Sequence, residues 1–169
     1  MIYDPCQFLK EHKKTVFFDA EHFFDGYKEN KAFALKTIQA ANDGGADYII
    51  LCDTNGAAFP AEIYEIVKEV SALFPGKVGI HTHNDRGMAV ACSVMAVSAG
   101  AVQVQGTFLG YGERCGNAAL STVIPNLQLC MGINCINKKY MPHLTETARK
   151  LAEISNINLR RNEPYVGTS

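Results

Sequence analysis

The stretch "GIHTHND", residues 79–85, ends an apolar run with two histidines and a polar turn. In a β-strand, residues two positions apart point to the same face and lie roughly 7 Å apart along the chain. His81 and His83 are therefore predicted to present two imidazoles on one face of a strand end. Two such imidazoles can share a metal ion, or they can be ordinary histidines at the end of a sheet.

Outward from this stretch, the chain alternates strand-like and helix-like segments. Apolar, strand-like runs begin near residues 16, 47, 78 and 102. Apolar positions at helical spacing lie between and after them, at residues 30–43, 60–73, 87–98, 117–129 and 141–154. This period is typical of parallel βα units. The predicted class is α/β, with about four parallel βα units and a trailing helix, as part of a (β/α) barrel or of a doubly wound sheet.

Composition narrows the classes of function. The 169 residues carry 47% hydrophobic and 20% charged residues and a net charge of −1, which indicates a globular domain without a field that attracts nucleic acid or a membrane surface. No apolar run reaches the roughly 18 residues of a membrane span, and the first residues lack a signal-peptide pattern. We therefore expect a cytoplasmic protein. The six cysteines form no Cys-x-x-Cys pair and are expected to be buried free thiols.

Polar residues follow every predicted strand, whereas the strand bodies are apolar. The four ends read "DAEH" (19–22), "DTNG" (53–56), "HTHND" (81–85) and "QGT" (105–107), and the last is followed by "GYGERCGN" (110–117). Parallel β/α folds place their chemistry at the carboxyl ends of the strands. These four ends are therefore predicted to form an active site.

Each candidate residue has a functional and a plainer interpretation. His81 and His83 with oxygen ligands favour Mn²⁺, Zn²⁺, Co²⁺ or Mg²⁺ over Ca²⁺, although at least one carboxylate ligand is still expected. Glu21 is either a solvated loop residue or a general base facing His83, with its pKa raised by partial burial. Thr54 is either a turn residue, like Asp53, or a hydrogen-bond donor to a substrate carboxylate. Asp85 is expected to cap the following helix.

The loop at residues 110–117 has three glycines that let the backbone approach a ligand. Its glycine spacing differs from the dinucleotide fingerprint, and it lacks the Lys-Ser/Thr of a P-loop. Cys115 within it is a possible nucleophile, but packing is the favoured interpretation.

Taken together, the segments "FDAEHFFDGYKEN" (18–30), "LCDTNGA" (51–57), "GIHTHND" and "VQVQGTFLGYGERCGNAAL" (102–120) closely resemble the citramalate synthase and 2-isopropylmalate synthase family of TIM-barrel acyltransferases. The resemblance implies that His81, His83 and Asn117 bind a divalent metal. It implies that Glu21 helps to deprotonate acetyl-CoA and that Thr54 holds the 2-oxoacid carboxylate. Asp85, Glu113 and Arg114 are implied as supporting residues of the same motifs.

The reaction implied by the resemblance is a Claisen-type condensation. The metal chelates the 2-oxoacid and polarises its ketone, an enolate formed from acetyl-CoA attacks this ketone, and the thioester is hydrolysed. The expected product from pyruvate is citramalate. The alternatives are 2-isopropylmalate synthesis from 2-oxoisovalerate, an acyl-CoA lyase of the same superfamily, and a fragment without catalytic function.

One family motif is absent. Family members begin with a strand bearing Asp-Arg-Glu, but the only Asp-Arg here, Asp85-Arg86, belongs to the histidine motif. The chain is therefore expected to be the C-terminal half of a TIM (β/α)8 barrel, with strands five to eight in residues 1–137 and a post-barrel helix and linker in residues 138–169. We expect it to be inactive alone and to pair with the missing N-terminal half-barrel or with itself.

Overall fold

Four parallel strands form one sheet in the order β1-β2-β3-β4 in the computed structural model, which describes residues 1–168. The strands are β1 (Phe17–Ala20), β2 (Tyr48–Asp53), β3 (Val78–Thr82) and β4 (Gln103–Gln105). The helices are α1 (Tyr3–Glu11), α2 (Phe23–Glu29), α3 (Lys31–Asp43), α4 (Pro60–Leu73), α5 (Ala89–Ser98), α6 (Leu120–Pro125) and α7 (Leu144–Ile154). The predicted alternation of parallel strands and helices is confirmed, and each strand begins within one residue of its predicted start.

Local chemistry explains several helix boundaries. The Asn30 side chain accepts a hydrogen bond from the Phe33 N–H and caps α3. Pro60 occupies the first position of α4, where its missing N–H costs nothing. The helix predicted to start at Asn117 begins only at Leu120, because Asn117 forms a β-bridge with His83.

The other differences from the predicted elements also concern helices. Helices α1 and α2 were not predicted, and α2 contains Gly26, which weakens a helical pattern. After α6 the chain continues as a π-helical turn, Asn126–Cys130, and α7 follows a 3-10 turn, Lys138–His143.

One face of the sheet packs against helices and forms the main core. Ile49 and Leu51 of β2 and Ile80 of β3 are fully buried there. They pack with apolar residues of three helices, among them Ile38 of α3, Val67 of α4 and Ala96 of α5. Because side chains alternate along a strand, the residues between them point to the opposite face.

The opposite face of the sheet is concave and carries the polar residues. Asp19 of β1 accepts a hydrogen bond from the amide of Gln105 of β4, at 3.1 Å. In a flat sheet, the first and fourth strands would lie about 14 Å apart, too far for these two side chains to meet. The sheet therefore curves as a barrel wall does, and His81 lies on this concave face between the two outer strands.

The helix lengths and the cysteine positions bear on two expectations from composition. Within residues 1–168, no helix is long and apolar enough to cross a membrane.

All six cysteines are free, but burial was predicted correctly only for Cys6, Cys52 and Cys92. Cys115, Cys130 and Cys135 are exposed, and all three lie outside the strands and the α-helices.

Candidate functional site

His81, His83 and Asn117 meet at the carboxyl end of β3. His81 lies within the strand, and His83 follows it and pairs with Asn117 through an isolated β-bridge. The two imidazole centroids are 5.1 Å apart, and Nε2 of His81 lies 3.1 Å from Oδ1 of Asn117. The structure thus brings together the three residues predicted as metal ligands.

The hydrogen bonds around Asn117 fix which of its atoms faces His81. Its Nδ2 donates to the carbonyl oxygen of Tyr111 at 3.1 Å, so that Oδ1 points to the imidazole. On the other side of His81, Nδ1 lies 2.9 Å from Oε1 of Gln105, which can only accept. Both oxygens beside the His81 ring accept only, so a neutral imidazole donates to one of them. With the proton on Nδ1, at the shorter distance, the lone pair of Nε2 faces the lone pairs of Asn117 Oδ1.

Two lone pairs at 3.1 Å repel each other unless a cation or a proton lies between them. Neighbouring ligands of an octahedral divalent ion, with bonds of about 2.1 Å, are about 3 Å apart. The spacing of these two atoms therefore fits two ligands of one metal ion.

His83 also suits a ligand role. Its Nδ1 atom is buried and has no hydrogen-bond partner among the described residues. Burial, followed by the neighbouring His81 and Arg114, holds the pKa of His83 below its usual range. A neutral imidazole with an unsatisfied ring nitrogen is the form that binds a metal.

The ligand set is electrically neutral. Within residues 1–168, no three His, Cys, Asp or Glu side chains gather where they could hold one metal ion. The carboxylate ligand expected from the sequence is therefore not found among the residues described. Two imidazoles and an amide oxygen fit part of a site for Mn²⁺, Zn²⁺, Co²⁺ or Mg²⁺, which an anionic ligand would complete.

Glu21 and Thr54 form the second part of the site. The Thr54 hydroxyl donates to a Glu21 carboxylate oxygen at 2.7 Å and accepts the His22 N–H at 2.7 Å. Glu21 is exposed, as the solvated-loop interpretation predicts, because the loop after β1 extends beyond the packed strands. The partial burial that accompanied the general-base interpretation is not found. Burial raises the pKa of the Cys52 thiol, and the negative charges of Glu21 and Asp19 raise it further. Cys52 pairs with His81 across β2 and β3.

Arg114 holds the glycine-rich loop against the other strand ends. Its guanidinium donates to both carboxylate oxygens of Asp85, at 2.7 and 2.9 Å, and to the Thr54 carbonyl at 2.7 Å. This pairing holds the pKa of Asp85 below its usual range. The expectation that Asp85 caps α5 is wrong, since Asn84 instead accepts the hydrogen bond from the Ala89 N–H.

The remaining sequence-predicted residues have different surroundings. The buried carboxylate of Asp53 accepts the N–H groups of Ala57 and Ala58, which confirms the turn role. Glu113 points to solvent, 82% exposed, with its oxygen 3.7 Å from Arg114. Packing was the favoured role for Cys115, but its side chain is exposed. It lines a cavity of about 550 Å³ between the loop and residues 157–164.

Two functional candidates, Asp19 and Gln105, were given no role by the sequence interpretation. Both lie on the concave face, two residues before Glu21 and Thr107 respectively. The alternation of strand side chains was the signal that could have found them. Their contact with each other depends on the curvature of the sheet, which no local pattern predicts.

We expect Arg114→Lys to loosen the loop, because a lysine cannot donate to both oxygens of Asp85 and to Thr54 in one planar arrangement. Backbone hydrogen exchange at Asn117 should become faster, and the affinity for Mn²⁺ should fall several-fold. Arg86→Lys is the matched control, since Arg86 contacts the Phe59 ring and the Ala57 carbonyl outside the loop. Unchanged exchange at Asn117 in the Arg114 variant would contradict the clamping role.

Comparisons with known proteins identify relatives of the chain. (R)-citramalate synthase of Aquifex aeolicus is 55% identical over the whole chain, which covers 32% of that protein. A probable 2-isopropylmalate synthase of Methanosarcina acetivorans is 36% identical over 97% of the chain and 31% of that protein. The crystal structure of the Bacillus subtilis HMG-CoA lyase superposes with a TM-score of 0.80 at 23% identity, over 99% of this chain and 59% of that one.

The fold and the family follow from these comparisons. The likeness to the lyase confirms the predicted TIM-barrel α/β class, and the resemblance to citramalate synthases and 2-isopropylmalate synthases is confirmed. The chain spans about a third of the length of the curated relatives that it matches. The HMGL-like family profile matches residues 5–156, and the chain therefore belongs to the HMGL-like family.

Proposed function

We propose that this chain is the C-terminal half of the catalytic barrel of a citramalate synthase, an acyltransferase that condenses acetyl-CoA with pyruvate. The observation that carries the proposal is the meeting of His81 Nε2 and Asn117 Oδ1 at 3.1 Å. The ring of His83 lies 5.1 Å from that of His81, and its buried Nδ1 has no hydrogen-bond partner within residues 1–168. The 55% identity to a citramalate synthase along the whole chain supports the choice of reaction. The proposed location is the cytoplasm.

A divalent metal held by His81, His83 and Asn117 would supply Lewis-acid polarisation of the 2-oxoacid ketone. The chain's own residues then position the substrate and move the proton. The Thr54 hydroxyl, which now donates to Glu21, can turn to a substrate carboxylate that binds beside it. This rotation would free a lone pair of Glu21 to accept a proton from the acetyl methyl group. Arg114 keeps Thr54 and the loop at a fixed separation during these steps.

The proposed partner is the first half of a barrel, which would supply the missing anionic ligand. The exposed edges of β1 and β4 and the concave face would then be covered. We place the barrel half in residues 1–137 and a post-barrel segment in residues 138–169. Self-association through the same edges is the alternative. A purified chain that remains a monomer would contradict self-association, and a chain that stays unbound when a first half-barrel is added would contradict the proposed pairing.

The 36% identity to a probable 2-isopropylmalate synthase supports 2-oxoisovalerate as the competing substrate. The test is release of CoA by a polypeptide that joins this chain to a first half-barrel with the Asp-Arg-Glu strand. We expect release with acetyl-CoA and pyruvate and much slower release with 2-oxoisovalerate. Glu21→Gln should lower the turnover number by roughly 10²–10⁴-fold, as loss of a general base does.

Faster release with 2-oxoisovalerate would contradict the proposed substrate, and the Glu21 variant at full turnover would contradict the assigned base. Release with neither oxoacid would overturn the synthase proposal.

A further inference from the structure

We propose that Gln105 is a positioning residue for the metal site, which holds His81 in the Nδ1–H tautomer while Asp19 fixes the orientation of the Gln105 amide. This inference rests on the proposed function for its purpose. Its evidence is a series of side-chain contacts on the concave face, which joins Asp19 to Gln105, Gln105 to His81 and His81 to Asn117.

The first step concerns the amide of Gln105. A carboxylate can only accept, so the group 3.1 Å from Oδ1 of Asp19 must be the Gln105 NH₂. This assignment turns Oε1 of Gln105 toward Nδ1 of His81, at 2.9 Å. Asp19 thus removes the freedom of the amide to flip.

The second step concerns His81. Oε1 of Gln105 and Oδ1 of Asn117 both accept only, and the contact of Nδ1 with Oε1 is the shorter of the two, at 2.9 Å against 3.1 Å. We therefore place the proton of a neutral imidazole on Nδ1, which leaves the lone pair on Nε2. That lone pair points to Asn117 Oδ1 at the proposed metal position. The hydrogen bond between Gln105 and Nδ1 therefore determines both which nitrogen of His81 is free to bind a metal and how the plane of the ring is oriented. Such partners of metal-binding histidines typically contribute 10–100-fold to metal affinity.

Gln103 provides a matched control on the same strand and face. It lies two residues before Gln105, and its Oε1 is a buried atom with no hydrogen-bond partner among the described residues. Gln103→Leu and Gln105→Leu therefore make the same chemical change on one face of β4. Only the second removes a contact with His81.

The experiment uses the whole chain with two measurements. The histidine tautomers in the metal-free protein are read from long-range ¹H–¹⁵N correlation spectra, and Mn²⁺ affinity is measured by calorimetry. We expect the Nδ1–H form of His81 in the wild-type chain and in Gln103→Leu. Gln105→Leu should show a mixture of tautomers and an affinity for Mn²⁺ lower by roughly 10–100-fold.

Each result bears on the proposal. If His81 keeps the pure Nδ1–H form in Gln105→Leu, the positioning role is overturned, whatever the metal does. A second outcome is that the tautomer of His81 changes in Gln105→Leu as expected while the wild-type chain binds no Mn²⁺. In that case the tautomer control by Gln105 stands, and the metal centre of the proposed function fails. Equal loss of affinity in the Gln103 and Gln105 variants would indicate a general packing effect and overturn the specific role.

Discussion

Gly116→Ala is expected to weaken Mn²⁺ binding by at least about tenfold, by displacing Asn117 from the site. Gly116 has φ +94°, a conformation that side chains rarely adopt, and an added Cβ would overlap the carbonyl oxygen of Gly110. That carbonyl accepts the N–H of Asn117 at 2.9 Å, so relief of the overlap must move the residue that ends the loop. Calorimetric titration with Mn²⁺ measures the loss.

Gly132→Ala is the matched control for this change. Gly132 also has a left-handed φ, +69°, but an added Cβ would meet no atom within 4 Å. It should cost stability by about 1 kcal/mol through backbone strain alone and leave Mn²⁺ affinity unchanged. If Gly116→Ala binds Mn²⁺ like the wild-type chain, the loop does not determine the position of Asn117.

The positions of the strands could be predicted from the sequence because each depends on local patterns. The apolar run of β2 and the glycine before it are sufficient to place that strand. The period of the βα units then determines that the strands are parallel, and parallel strands place all their carboxyl ends at one edge. The local pattern around His81 and His83 was therefore sufficient to predict that both lie at the same strand end.

The contacts between strand ends could not be predicted in the same way. Arg114 has a φ of +54° and contacts Asp85 and Thr54. The pattern of the loop sequence predicts neither the direction of the Arg114 side chain nor its two partners. Asp85 was predicted to cap the helix that follows it, but α5 begins only at Ala89, and the Asp85 carboxylate pairs instead with Arg114, 29 positions further along the chain. The contact between Asp19 and Gln105 depends on the curvature of the whole sheet.

The metal site is the central claim, and replacing both histidines is expected to abolish it. His81→Ala/His83→Ala removes two of the three proposed ligands and leaves only the amide oxygen of Asn117, which binds divalent ions weakly when alone. His12→Ala/His143→Ala is the matched control, since both histidines are exposed and lie outside the strand ends.

The deciding measurement is a calorimetric titration of the purified wild-type chain with Mn²⁺, beside the two double variants. The account predicts one binding event per chain in the wild type and in the His12/His143 variant, and none in the His81/His83 variant. Binding that persists unchanged without His81 and His83, or absence of binding in the wild-type chain, would contradict a metal centre formed by these strand ends.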